Sequence, residues 1–234
     1  MLKLIKLEWQ KSNITGYFKG LAVCIIAIFA AVSLMALGSR GENEPMFENY
    51  AAFMSLTEIL TRITYIIFAS VILSRLVIEE YKSNMIQVLF TYPLQRKKIM
   101  QAKLSIVFGF CLFSIIVTTV VINLLTYFLN PMIGLFEGSV HVDEMMATLP
   151  ATLLNAFMIA GISLIPLWFG MRKKSTASTI TSAVIIGFVV NATVSNGGSS
   201  TSLFQFIAVP MTLCLFGLIL GYFSFFRVDR SDVA

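Results

Sequence analysis

The chain has 234 residues, 57% of them hydrophobic and only 12% charged, with a formal net charge of +5 and a mean hydropathy of +0.85. These proportions exclude an ordinary water-soluble enzyme and a soluble nucleic-acid binder, which would carry its basic residues on a folded polar surface. They describe an integral membrane protein, and runs such as LAVCIIAIFAAVSLMAL, apolar on every side rather than alternating, select helices over a closed β-barrel.

In chain order, the first element is an amphipathic segment, MLKLIKLEWQKSNITGYFKG. Lys3, Lys6, Gln10 and Asn13 recur at helical spacing, and Leu2, Ile5 and Trp9 form a separate apolar stripe. Such a helix is expected to lie in the membrane interface, with Trp9 and the lysines Lys3 and Lys6 at headgroup depth. Six apolar runs follow, about 17–38, 59–78, 104–129, 149–170, 176–194 and 202–226, each near the roughly 20 residues that cross a bilayer. The expected fold is therefore all-α: six transmembrane helices in one permease-sized membrane domain covering 1–234, with no linker long enough to separate a second domain.

The second run is the most polar. Glu58 and Arg62 stand four apart on one helical face, so they are a candidate ion pair at its outer end, where pairing lowers the cost of carrying charge. With that pair placed at the edge, no span holds an ionisable residue at mid-depth, and Asn123, Asn155, Ser163 and Thr181 read as interhelical hydrogen-bonding groups. Pro166 and Pro210 are expected to kink their spans. Gly217 and Gly221 form a GxxxG pair, and Ala27 with Ala31 a second small-residue pair, each permitting close helix approach.

Orientation follows from the cations, which remain on the cytoplasmic side. With both termini inside, every one of the 17 Lys and Arg residues except Arg40 and Arg62 falls on an inner segment, while Glu42, Glu44, Glu48, Glu58, Glu137, Asp143 and Glu144 fall outside. The net positive charge thus reports topology, with no nucleic-acid partner implied.

Chemistry within the chain is largely excluded. His141 is the only histidine, so an HExxH zinc pair and a Ser/His dyad are both missing. Glu79-Glu80 begins like the EExxxR of glutamate-dependent membrane proteases, but the sixth residue is Asn84. Cys24, Cys111 and Cys214 lie in separate apolar runs and form neither a disulfide frame nor a metal spacing, so no metal site is expected. No titratable mid-span group is available to couple an ion gradient, and no GxxxxGK[ST] phosphate loop occurs. An ATP-driven process would require another polypeptide.

Glu79 to Lys103 is the polar segment joining the second and third runs. On a helix, Glu80, Asn84, Gln87 and Thr91 share one side and Met85, Ile86, Leu89 and Phe90 the other, so a short amphipathic helix is expected at about 79–90. Pro93 ends it, and the chain restarts at Arg96. Periodicity leaves two readings equally open: a lever that receives a cytoplasmic partner, or an interfacial loop with its cations on lipid phosphates.

This segment resembles the signature of ABC-type-2 exporter permeases: acidic residues and an aromatic, a leucine and proline, then an arginine and a lysine. The matching residues are Glu79, Glu80, Tyr81, Leu89, Pro93, Arg96 and Lys103, while Asn84-Met85 replaces the family's common Gly-Thr. The resemblance implies a coupling helix that contacts a separate ATPase, with Glu79, Glu80, Tyr81, Asn84, Gln87, Leu89, Phe90, Pro93 and Arg96 as coupling residues. It implies two cytoplasmic ABC ATPase subunits holding ATP and Mg, no cofactor on this chain, and a second permease, either a homodimeric copy or a paralogue. The expected location is a bacterial cell membrane, multi-pass, with both termini cytoplasmic. The aromatic-rich spans and small outer loops suit a hydrophobic or amphipathic cargo, such as a membrane-active peptide toxin, lantibiotic or bacitracin-like antibiotic, exported or expelled for self-protection. The alternative from another class is a non-transporting sensor or assembly protein that holds a cytoplasmic partner through the same basic loops.

Overall fold

In the computed structural model the described residues are 14–39, 47, 49–79, 96–136, 142–173, 175–196 and 199–227. Helix α1 runs Ile14–Gly38 and α2 Tyr50–Leu73, continued by a π-helical turn Ser74–Ile78. Then come α3 at Arg96–Ile133, α4 at Val142–Ile162, α5 at Ile165–Lys173, α6 at Thr176–Val190 and α7 at Ala208–Arg227. The architecture is helical, and its one addition among the described residues is an antiparallel hairpin of β1, Thr193–Asn196, with β2, Ser199–Ser202, paired Thr193 to Ser202 and Asn196 to Ser199. A single 3-10 turn, Leu203–Gln205, leads from it into α7.

Among the described residues four helical segments are long and apolar enough to cross a membrane: Gly16–Gly38, Tyr50–Ile78, Lys98–Ile133 and Thr148–Lys173, the last formed by α4 and α5 together. The apolar parts of the two remaining helices, Thr176–Val190 and Ala208–Ser224, are shorter. At 1.5 Å per residue, α6 spans about 22 Å, less than the roughly 30 Å hydrocarbon core. The chain is thus a multi-pass membrane protein by its apolar helices.

Helix ends follow local chemistry. Asn49 caps α2, its Oδ1 accepting from the Ala52 amide at 2.9 Å, so the helix begins well before the expected residue 59. Gly134, at φ 62°, stops α3 in the left-handed region, and its amide donates to the Asn130 carbonyl at 2.6 Å. The turn at Ser163–Leu164 divides α4 from α5 directly ahead of Pro166, which has no N–H to continue the ladder. Pro210 is different: α7 starts at Ala208, so this proline stands in the first turn, where an amide would lack a helical partner anyway, and the expected kink is corrected to a helix start.

Helix α2 is the centre of the packing. It meets α1, α3, α4 and α6, while α4 lies on α3 and α7, and α5 on α6 and α7. Tyr65, Ile66, Leu73, Ile122, Ile159, Ile162 and Leu167 fill the main core, and a second cluster of Val32, Phe47, Tyr50, Phe53, Leu135 and Phe136 closes the end bearing the N-terminus of α2. Small residues permit the closest crossings. A β-carbon at Gly217 would collide with the Gly161 carbonyl oxygen, and one at Gly170 with Thr179 and Ile78. Lipid supplies no hydrophobic drive for helix pairing, so these contacts and the interhelical hydrogen bonds carry the association.

Candidate functional site

Two places on α2 concentrate polar groups inside the apolar bundle. The first is its C-terminal end. The π turn Ser74–Ile78 interrupts the regular α ladder, and Lys103, only 4% exposed, crosses from α3 to donate its Nζ to the Leu76 carbonyl at 2.9 Å. A buried ammonium is tolerated when carbonyl oxygens accept its protons, and π turns offer carbonyls out of the helical register. Ile78 packs beside Gly170 and Thr179, so α5 and α6 also brace this end. Glu79 is the exposed last residue of α2 in the described structure, and Arg96 is the first residue of α3. The Lys103 bond therefore ties together the two strands of chain from which the 80–95 segment departs.

The predicted coupling residues Glu80, Tyr81, Asn84, Gln87, Leu89, Phe90 and Pro93 lie outside the described residues, and with them the helix expected at about 79–90. Lys3, Lys6 and Trp9 of the expected interfacial helix do as well. The structure locates the base of the segment, Glu79 and Arg96.

The second place is further along α2. Arg62 Nη2 and Glu58 Oε2 are 2.9 Å apart, one helical turn from each other. Because α2 begins at Tyr50, Arg62 stands about 18 Å from the start of the helix and about 24 Å from the end of its π turn, by the rise per residue. The expected ion pair is thus formed, and along α2 it stands well inside both ends of the helix.

The environment of the pair is asymmetric. Arg62 is buried, with its guanidinium carbon 3.9 Å from the centre of the Phe204 ring, a cation–π contact delivered by the 3-10 turn before α7. Its Nε is buried without a hydrogen-bond partner among the described residues. Glu58 is more open, its side chain 35% exposed against 10% for Arg62. Beside them lies a cleft of about 20 Å³, lined by Glu58, Thr61, Arg62, Thr119, Thr152 and Asn155, with Ile115 and Ile159 as apolar wall.

Threonine hydroxyls recur through this seam because each can return its proton to its own helix. Thr57 donates to the Phe53 carbonyl, Thr61 to Thr57, Thr118 to Ser114 and Thr126 to Ile122, at 2.7–2.9 Å. Two tyrosines bridge α2 to α3: Tyr50 donates its hydroxyl proton to Asn123 Oδ1 at 2.8 Å, and the Tyr65 hydroxyl is hydrogen-bonded to Thr118 Oγ1. Of the residues singled out in the sequence, Asn123 thus has the interhelical role expected of it. Asn155 instead faces the cleft, Ser163 and Thr181 bond to carbonyls of their own local chain, and Phe204 carried no sequence signal because only the tertiary fold brings it to Arg62. No cluster of His, Cys, Asp and Glu able to hold a metal occurs among the described residues.

Comparison with known proteins gives a consistent likeness. The model of a family described as "ABC-2 family transporter protein" matches residues 4–191. The uncharacterized protein YcbO of Bacillus subtilis (strain 168) is 29% identical over 231 residues, covering 99% of this chain and 100% of the relative. No solved structure matches the chain.

Proposed function

The chain belongs to the ABC-2 family of transporter membrane proteins, and on that premise we propose that it is the permease subunit of an ABC exporter which converts ATP hydrolysis on a separate ATPase into movement of a hydrophobic or amphipathic cargo. Family membership implies an ATPase partner. In this reading two ATPase copies carry ATP and Mg, this chain catalyses no reaction, and a second permease, identical or paralogous, completes the pathway. The chain crosses the bacterial cell membrane six times, α6 with its hairpin and α7 providing the last two crossings, and keeps both termini in the cytoplasm. The cargo is a membrane-active peptide or peptide antibiotic, moved outward for export or self-protection.

The observation that carries this reading is the bond from Lys103 to the Leu76 carbonyl. It joins α2 and α3 at the two ends of the 80–95 segment, so a push on that segment would be transmitted to both helices together. The segment then serves as coupling helix, with Glu79, Glu80, Tyr81, Asn84, Gln87, Leu89, Phe90, Pro93 and Arg96 forming the ATPase contact.

The test is co-expression with ABC ATPase subunits from the same organism, followed by affinity capture and assay of ATP-driven peptide movement in proteoliposomes. Capture together with transport is expected. Capture of a cytoplasmic protein that hydrolyses no ATP, with no transport, would favour the sensor or assembly reading.

A further inference from the structure

We propose that the cleft beside Glu58 and Arg62 is a binding site for a primary ammonium group carried on an apolar tail. The proposal rests on the exporter reading for its purpose, since it names the chemistry of the group the cargo presents, but its argument comes from the cleft alone.

The cleft offers acceptors. Thr61, Thr119 and Thr152 have each donated their hydroxyl proton within their own helix, to the carbonyls of Thr57 at 2.7 Å, Ile115 at 3.0 Å and Thr148 at 2.9 Å, so only oxygen lone pairs remain to face a ligand. Glu58 engages Arg62 through Oε2, leaving the carboxylate's other acceptor capacity for a ligand. Arg62 and the Asn155 amide also line the cleft, but the pair is unequally accessible: Arg62 is stacked on Phe204 and its side chain is 10% exposed against 35% for Glu58, so the carboxylate is the more open partner. An anion at the more exposed Glu58 would be repelled by its carboxylate, whereas a cation there would share the carboxylate with Arg62.

Size narrows the class further. A cleft of about 20 Å³ has room for one water-sized group, which an ammonium satisfies and a quaternary trimethylammonium does not. The cleft is walled by Ile115 and Ile159 and set among apolar helices, so the rest of the ligand is hydrocarbon. A lysyl or ornithyl side chain of an amphipathic peptide and the headgroup of phosphatidylethanolamine share this chemistry.

The experiment measures equilibrium binding of dodecylamine to the full chain in phosphatidylcholine nanodiscs, without ATPase. Saturable binding is expected, weaker by about tenfold or more for dodecyltrimethylammonium and for dodecanoate, the loss of one charge-assisted hydrogen bond being about that large. Glu58→Gln should lose a similar factor, and Asn155→Asp, which adds a carboxylate to the same cleft, should bind more tightly. Weakened dodecylamine binding in phosphatidylethanolamine nanodiscs would assign the cleft to the lipid headgroup; unchanged binding there would assign it to a free amphipathic amine. Equal binding of dodecanoate, or dodecylamine binding indifferent to Glu58→Gln and Asn155→Asp in monodisperse protein, would overturn the proposal. If the exporter reading alone is wrong, amine binding persists while ATPase capture fails. If this inference alone is wrong, capture succeeds and amine selectivity is missing.

Discussion

Gly217 of α7 lies against the backbone carbonyl oxygen of Gly161 in α4, so close that neither position accommodates a side chain: a β-carbon at Gly217 would meet that oxygen, and one at Gly161 would meet Cys214 Sγ. The GxxxG pair of the last helix is therefore used within the chain, with Gly221 facing Leu164 at ordinary van der Waals distance. It brings α7 onto α4 and so helps hold Phe204, just ahead of α7, over Arg62.

Replacing Gly217 by Ala should destabilise the folded protein by on the order of 1–3 kcal/mol through overpacking against backbone that cannot yield. Gly221→Ala should be nearly neutral, since its β-carbon would stand 3.7 Å from Leu164 Cδ1, the far end of a flexible side chain. Unfolding in mixed detergent micelles, followed by circular dichroism, compares the two. Equal effects would mean that α4 and α7 do not cross at these glycines.

The tyrosine bridges between α2 and α3 predict modest, measurable coupling. A double-mutant cycle of Tyr65→Phe with Thr118→Val should give an interaction of roughly 0.6 kcal/mol, as is usual for hydrogen bonds inside membranes. Tyr50→Phe with Asn123→Leu should behave alike. Cross-pairing Tyr65→Phe with Asn123→Leu, which are not partners, should be additive.

Much of this arrangement was legible in the sequence and some was not. Each of the six apolar runs contains helix, because an apolar stretch in lipid can satisfy its backbone by coiling, but the run 149–170 is broken at Ser163–Leu164, the run 176–194 ends in β1, and the run 202–226 opens in β2 and the 3-10 turn. The expected start of the second run at residue 59 falls later than the observed Tyr50 because Ser55, Thr57 and Glu58 resemble loop residues. In the fold, Ser55 and Thr57 return their hydroxyl protons to their own helix and Glu58 is neutralised by Arg62, so these polar side chains are compatible with a helix interior. Helix partners were beyond reach: nothing in the local pattern of Leu203–Gln205 indicates that Phe204 covers a guanidinium on α2, since that contact belongs to the packing of α7.

The topology proposal is checked by cysteine labelling in a background lacking Cys24, Cys111 and Cys214. Ser139→Cys, between α3 and α4, should react with an impermeant maleimide applied to intact cells, and Lys173→Cys, at the end of α5, should react only after lysis. Equal labelling of both in intact cells would contradict the six-crossing arrangement.

Lys103→Met should leave the Leu76 carbonyl without its ammonium donor, costing about 1–3 kcal/mol for the unsatisfied group and loosening α2 from α3 at the base of the coupling segment. The account expects the ATPase to be captured still, while ATP hydrolysis in the complex becomes independent of cargo. Cargo-stimulated hydrolysis at the wild-type level would remove Lys103 from the transmission path.

Whether the segment between α2 and α3 receives the ATPase is decided by capture of the ATPase with loop variants. Leu89→Ala with Phe90→Ala removes the apolar side of the expected coupling helix, each buried side chain being worth roughly 2–4 kcal/mol, so capture should fall severely while membrane insertion is unaffected. Arg172→Ala with Lys173→Ala, at the end of α5, should capture the ATPase as the wild type does. Full capture by the Leu89 and Phe90 variant, with loss of capture by the Arg172 and Lys173 variant, would contradict the account and move the contact to the other basic loop.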